Sequence, residues 1–283
     1  MSITGRAKVA GVLGWPVSHS LSPSLHGFWI NKYNIDGAYL PFNVSPDNLK
    51  TAIEGITDLG LRGANLTIPH KEAALSYINN ISESAKKIGA INTLVVDPEI
   101  GIIGENTDAF GFSENLKEIN PDLNLKNKIA VVLGAGGASR AVCFSLMTSG
   151  VSEIRLINRS KPRAISVRDK FSTSIVVENW DNRDKALDNA EILINTTSLG
   201  MVGQPDLSIS LAKLPISATV CDLVYVPIAT PLLIQAKKRG NKIVDGLGML
   251  LHQARPGFER WFGIEPKVTT DLRDYILNSQ KEC

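Results

Sequence analysis

The stretch "VVLGAGGASRA", Val131 to Ala141, constrains the fold of this chain more than any other. The run "KIAVVLG" leads into it, and a continuous apolar run of that kind reads as a strand buried on both faces of a parallel sheet. Gly134, Gly136 and Ser139 hold the three positions of a G-x-G-x-x-G turn that opens a helix. Gly134 permits the tight turn, Gly136 lets a pyrophosphate approach the backbone, and Ser139 is small enough for close helix–strand packing. The N–H groups and dipole at such a helix start favour negative charge. Strand, turn and helix in that order raise a common glycine pattern to the expectation of a dinucleotide site. A glycine-rich turn without a ligand is the plain competitor.

The end of the next strand reports which dinucleotide. An NAD site places an acid there for the ribose 2′-OH. This chain has Asn158, Arg159, Ser160, Lys161, Pro162 and Arg163, with three cations and no acid. Guanidinium groups match phosphate in a bidentate way, which favours the 2′-phosphate of NADP over a merely solvated basic loop. Two later strand ends, "INTTSLGM" and "CDLVY", place Thr196, Thr197, Ser198 and Leu223 at the same edge of a doubly wound sheet. Hydroxyls at a strand end can also cap the following segment.

Strand-like and helix-like segments alternate along the whole chain, which predicts α/β architecture built from right-handed βαβ units. "KVAGVLG", "AYLPFNV" and "GANLTIP" read as strands, with a helix after the first that is capped by Ser22 and another over Ser45 to Leu59. "INTLVV" and "GIIGEN" read as a hairpin around "DPEIG". From Lys128 the strands "KIAVVLG", "EIRLIN", "SIVVEN", "EILINT", "ATVCDLVY" and "NKIVDG" follow one another with helices between most of them. The stretch from Met249 to Cys283 is helical with no strand partner. The expected boundaries are residues 1–110, completed by 247–283, for one domain and 111–246 for a Rossmann-like, doubly wound second domain, with the C-terminal helices returning to the first.

Composition excludes several classes of function. Hydrophobic residues are 43% and charged residues 20%, with a formal net charge of +2. That suits a soluble globular protein and predicts no nucleic-acid or acidic-membrane partner. Lys237, Lys238 and Arg239 end a helix before Gly240, where cations complement the dipole. Cys143, Cys221 and Cys283 form neither a disulfide framework nor a zinc or redox pair, which fits a reducing cytoplasm. His19, His26, His70 and His252 make no metal motif, so no metal is expected, and they read as partly buried structural side chains. No segment reads as a secretory leader or a membrane span.

A dinucleotide site predicts hydride transfer and needs a second reactant. Ser20, Ser22, Thr67, Lys71, Asn92, Asn106 and Asp108 all stand at element ends in the first part of the chain. Each alone has an ordinary structural explanation as a cap, a turn residue or a solvated charge. Together with "HSLSPSLH", "GANLTIPHK", "GAINTL", "ENTDAFGF", "GAGGASRA", "NRSKPRA", "NTTSLGM", "DLVYVPIATPLL" and "DGLGMLLHQA", they make the sequence resemble the shikimate dehydrogenase family nearly end to end.

The resemblance implies reversible NADP-linked reduction of 3-dehydroshikimate to shikimate, on the way to chorismate and the aromatic amino acids. It makes the first domain the substrate domain. It implies that Lys71 is the catalytic acid or base, with Asp108 paired to it. Ser20, Ser22 and Tyr225 would bind the substrate carboxylate. Thr67 would face the substrate, Asn92 and Asp108 would hold ring hydroxyls, and Gln253 would close over them. Gly134, Ala135, Gly136, Gly137, Ala138, Asn158 to Arg163, Thr196, Leu223, Gly246 and, less directly, Glu83 would hold NADP. Gly27, Ala109 and Leu66 depart from the usual pattern without removing any of these groups. Desolvation lowers a lysine's pKa while a neighbouring carboxylate raises it, so Lys71 and Asp108 could together move a proton. A quinate/shikimate dehydrogenase using NAD, or a non-catalytic metabolite sensor on the same scaffold, are the alternatives. The chain is expected to work as a monomer or homodimer on a small-molecule substrate.

Overall fold

The computed structural model describes residues 3–171 and 174–279, so Cys283 lies outside the described residues. The chain divides into two compact units, Met1–Thr107 with Leu251–Cys283, and Asp108–Leu250.

The first unit begins with β1 (Lys8–Gly14), α1 (Ser22–Lys32), β2 (Gly37–Asn43), α2 (Leu49–Asp58) and β3 (Gly63–Leu66). It continues through α3 (His70–Ala73), β4 (Asn80–Ile81), α4 (Glu83–Ile88), β5 (Thr93–Asp97) and β6 (Gly101–Glu105). The sheet order is β2-β1-β3-β5-β6-β4. β1 pairs in parallel with β2 and β3, whereas β5 runs antiparallel to both β3 and β6. The hairpin expected around "DPEIG" is therefore present. Leu13, Leu66, Leu94 and the inward face of α2 (Leu49, Ile53, Ile56) form its core.

Three local expectations differ from the structure. Ser22 is the first residue of α1 rather than its cap; Leu21 holds the cap position, with no side-chain hydrogen bond. The helix expected from Ser45 starts as a 3-10 turn over Pro46–Asn48, and regular α-helix begins only at Leu49. The strand "GANLTIP" stops at Leu66, because His70 N donates to Thr67 O and curls the chain into a turn.

The second unit opens with α5 (Asp108–Ile119), then β7 (Ile129–Leu133), α6 (Gly137–Thr148), β8 (Glu153–Ile157), α7 (Lys161–Phe171) and β9 (Ile175–Glu178). β10 (Ile192–Asn195), β11 (Thr219–Asp222), α8 (Pro231–Arg239) and β12 (Lys242–Val244) complete its sheet. All six strands are parallel in the order β12-β11-β10-β7-β8-β9. In β7, Ala130 and Val132 enter one hydrophobic layer while Val131 and Leu133 enter the other. That is the period-2 alternation of a strand covered on both faces. The strand order reverses between β7 and β10, and ligands bind beyond the carboxyl ends of strands at such a switch point.

α9 (Gly246–Phe262) starts in the second unit and continues into the first, and α10 (Thr270–Ser279) follows. In the first unit, Trp261 Nε1 donates to Leu94 O at 3.0 Å and Trp29 Nε1 to Lys267 O at 3.1 Å. Phe258 and Trp261 pack with Trp29 and Tyr39 around His26. No helix among the described residues is long and apolar enough to cross a membrane.

Candidate active site

Two glycines of the glycine-rich turn, Gly134 and Gly136, meet different surroundings. Gly134 has φ +109°, and a Cβ there would collide with Thr196 Oγ1. That hydroxyl is committed to Leu133 O at 2.7 Å, so the turn is pressed between the ends of β7 and β10. Gly136, by contrast, faces open space, with nothing within 4 Å of a Cβ. It is the N-cap of α6 and brings no capping side chain, which leaves the N–H groups of the first turn to a ligand. Ser139 is buried and folds its hydroxyl back onto Gly136 O at 2.7 Å. Ala135, Gly137 and Ala138 complete the cradle.

β8 lies beside β7, with Ile157 opposite Leu133, so its end is the next strand end along the sheet. Asn158 Nδ2 donates to Ser160 O at 2.9 Å and shapes the turn into α7. Arg159, Ser160, Lys161 and Arg163 are all exposed at the start of that helix. Uncommitted N–H groups at α6 and cations at the adjacent strand end fit a dinucleotide carrying a 2′-phosphate. On the other side of β7, Leu223 follows β11, and a Cβ at Gly246 would collide with Leu223 O. Tyr225 is partly buried, and burial pushes its phenol above the usual range, so it stays a neutral O–H donor.

In the first unit the ends of β1, β3 and β5 collect polar residues. Lys71 is half-buried on α3, and its carbonyl accepts from Ile91 N at 2.8 Å. The next residue, Asn92, accepts through its carbonyl from Leu66 N at 2.8 Å. Thr67 N donates to Leu13 O, which holds Thr67 beside Gly14. Asn92 Nδ2 reaches Gln253 Oε1 at 3.3 Å and Thr107 Oγ1 at 3.0 Å, while Asn92 Oδ1 accepts from Thr107 N at 2.8 Å. Ser20 Oγ accepts from Ser22 N at 3.3 Å at the start of α1. Lys71, Thr67, Asn92 and Gln253 are thus drawn together by backbone and amide bonds, with the two serines linked to each other.

Asp108 is the first residue of α5 and is buried. Glu83 stands on the exposed first turn of α4, paired with Lys86 at 2.9 Å, in the unit that does not carry Gly134. His70 is structural, with Nε2 2.8 Å from Val44 O, and His26 is stacked on Tyr39 with ring centroids 4.0 Å apart. His19 departs from the expected partial burial and is exposed, because it lies in the turn before α1.

Sequence reasoning missed a buried network behind Asn92. Tyr39 Oη donates to Asn65 Oδ1 at 2.5 Å, and Asn65 Nδ2 donates to Asn92 O at 3.1 Å and Thr93 Oγ1 at 3.2 Å. Thr93 Oγ1 in turn donates to Asn92 Oδ1 at 3.0 Å. The available signal was Asn65 itself, an amide inside an otherwise apolar strand, since buried polar groups demand partners.

Comparison with known proteins agrees with this geometry. Residues 12–94 match the shikimate dehydrogenase substrate binding domain, residues 114–239 the shikimate/quinate 5-dehydrogenase family, and residues 246–271 the shikimate 5′-dehydrogenase C-terminal domain. A shikimate dehydrogenase (NADP(+)) of Paramagnetospirillum magneticum is 50% identical over 98% of this chain and 100% of its own. The shikimate 5-dehydrogenase of Thermus thermophilus, solved with NADP(H) and shikimate, superposes with TM-score 0.83 at 33% identity over 97% of this chain and 99% of its own. A quinate dehydrogenase of Corynebacterium glutamicum, solved with NAD, reaches TM-score 0.89 at 29% identity over 96% of this chain and 99% of its own. The fold and site define a dinucleotide-linked oxidoreductase acting on a CH–OH group. Within that class, the chain belongs to the shikimate dehydrogenase family.

Proposed function

We propose that this chain catalyses the reversible NADP-dependent reduction of 3-dehydroshikimate to shikimate, in the route to chorismate and the aromatic amino acids. The observation that carries the reading is the placement of Lys71, half-buried and one backbone hydrogen bond from the residue preceding Asn92. Residues 1–110 with 247–283 form the substrate domain on this reading, and 111–246 the NADP domain.

NADP, when bound, supplies the redox chemistry at its nicotinamide. Lys71 takes the proton of the reacting hydroxyl in oxidation and returns it in reduction, and Asp108 orients that amine. Ser20 and Ser22 donate hydroxyl hydrogens to the substrate carboxylate, helped by the neutral phenol of Tyr225. Asn92 and Asp108 hold the ring hydroxyls, Thr67 faces the substrate and Gln253 closes over it. Gly134 to Ala138 cradle the pyrophosphate, Asn158 to Arg163 the 2′-phosphate, and Thr196, Leu223 and Gly246 the nicotinamide side, with Glu83 as an outlying contributor. The buried, unpaired thiols of Cys143 and Cys221 suit a cytoplasmic enzyme, working as a monomer or homodimer.

Lys71→Ala tests the central role. The expected outcome is a fall in kcat of about 10²–10⁴-fold, the usual contribution of a positioned acid or base, with a much smaller change in the KM for shikimate. Near-wild-type turnover would remove Lys71 from the mechanism. Likeness to the Corynebacterium enzyme and to the shikimate/quinate family favours a broader quinate and NAD activity, and the cations at 159–163 weigh against NAD.

A further inference from the structure

A buried carboxylate at the end of β11 belongs to none of the roles above. Asp222 is 1% exposed. Its Oδ1 accepts from Asn195 Nδ2 at 2.9 Å and from Val224 N at 3.1 Å, and its Oδ2 accepts from Thr230 Oγ1 at 2.7 Å. The three donors come from three segments: the end of β10, the loop after β11, and the N-cap of α8.

Each donor passes the constraint on. Asn195 Oδ1 accepts from Thr197 N at 3.1 Å and Thr197 Oγ1 at 2.7 Å, while its amide also donates to Leu199 O at 3.1 Å. Leu199 N closes the loop onto Thr197 Oγ1 at 3.1 Å. Thr230 Oγ1 accepts from Leu233 N at 3.3 Å and so caps α8. Thr196, Leu223 and Tyr225 are all chain neighbours of atoms in this network. Gly246 presses on the same ledge, where only a glycine clears Leu223 O. A full carboxylate with three donors in a buried site is costly to desolvate, and charge-assisted bonds of this kind hold geometry more firmly than neutral ones.

We propose that Asp222 is a positioning residue for the nicotinamide half of NADP, tying the loops after β10 and β11 and the start of α8 into one rigid ledge. The proposal rests on the NADP reading given above. It assigns Asp222 no contact with substrate or cofactor. It requires that the adenosine half, held at Gly134 to Ala138 and Asn158 to Arg163, be indifferent to Asp222.

Two ligands therefore test it, by calorimetric titration of the intact chain. NADP spans both halves, whereas adenosine 2′,5′-bisphosphate carries the 2′-phosphate and adenosine without nicotinamide. Asp222→Asn keeps the size of the side chain, but its amide faces Thr230 Oγ1, whose hydroxyl hydrogen then loses its acceptor. The Kd for NADP should rise about tenfold, as expected for one impaired charged hydrogen bond, with the Kd for the bisphosphate unchanged. Thr230→Val should shift the same pair of constants in the same direction, and Thr230→Ser, which keeps the hydroxyl, should leave both at their wild-type values. If Asp222→Asn does not fold, the Thr230 pair decides. Equal weakening of both ligands, or an unchanged NADP constant, overturns the proposal. Arg163→Ala separates the underlying reading, since it should weaken both ligands; no effect on either would refute the 2′-phosphate site independently of Asp222.

Discussion

Asp222 shows how one residue couples protonation to stability. Burial pushes its carboxyl up to about 6, against an ordinary value of 3.8, and the bonds from Thr230, Val224 and Asn195 only partly oppose that. The folded chain therefore keeps this proton to higher pH than the unfolded chain does. The contribution of Asp222 to stability is greatest below about pH 4, falls as pH rises toward about 6, and is level above it. The loss across that window is on the order of 3 kcal/mol, at about 1.4 kcal/mol for each pH unit of displacement. Unfolding free energies measured by denaturant from about pH 4 to about pH 8 also carry the opposite slope of buried His26, which burial holds down to about 3, in both proteins, so the wild-type value minus that of Asp222→Asn should fall across the window. An identical slope in both would place the titration elsewhere. Tyr39 offers a neutral counterpart. Tyr39→Phe removes the donor to Asn65 Oδ1 and leaves that buried oxygen unsatisfied, which should cost about 1–3 kcal/mol in the same measurement.

At the scale of elements, the turn between β7 and α6 joins two different demands in three residues. Gly134→Ala puts a methyl group against Thr196 Oγ1 at a positive φ, so it should destabilise the fold by about 1–3 kcal/mol. Gly136→Ala meets nothing within 4 Å, so Tm should hold while NADP binding weakens. A Gly136→Ala variant that binds NADP normally would move the pyrophosphate away from this turn. The same turn shows why parts of the fold are legible in the sequence. β7 is an unbroken apolar run with glycines after it, and its helix is long enough to carry a pattern. α3, β4 and α4 span only two to six residues each and carry no periodicity to read. The start of α1 departs from its sequence pattern because Ser22 precedes Pro23 and looks like a cap, although the backbone turns one residue earlier. Asn92 and Gln253 stand out in the motifs, but their pairing with each other and with the residues behind them does not. Asn65 is 27 residues from Asn92 and Gln253 is 161, and no local pattern encodes such pairings.

At the scale of the whole molecule, the chain crosses between its two units twice, once before Asp108 and once inside α9. The expected crossings at residues 110 and 246 stand three and four residues from the divisions at 107 and 250. Each unit carries its own sheet and its own core, so each has the material to fix its half of the chemistry. The first unit gathers Lys71, Thr67, Asn92 and Gln253, and the second arranges the glycine-rich turn and its cations around a topological switch point. The most direct test is the initial rate of reduced-nicotinamide absorbance with shikimate and NADP, set beside the same chain with quinate or with NAD and beside Lys71→Ala. Turnover with shikimate and NADP that exceeds every other pairing, and collapses in Lys71→Ala, is the predicted result. Faster turnover with quinate and NAD, or an undiminished rate in Lys71→Ala, would contradict it.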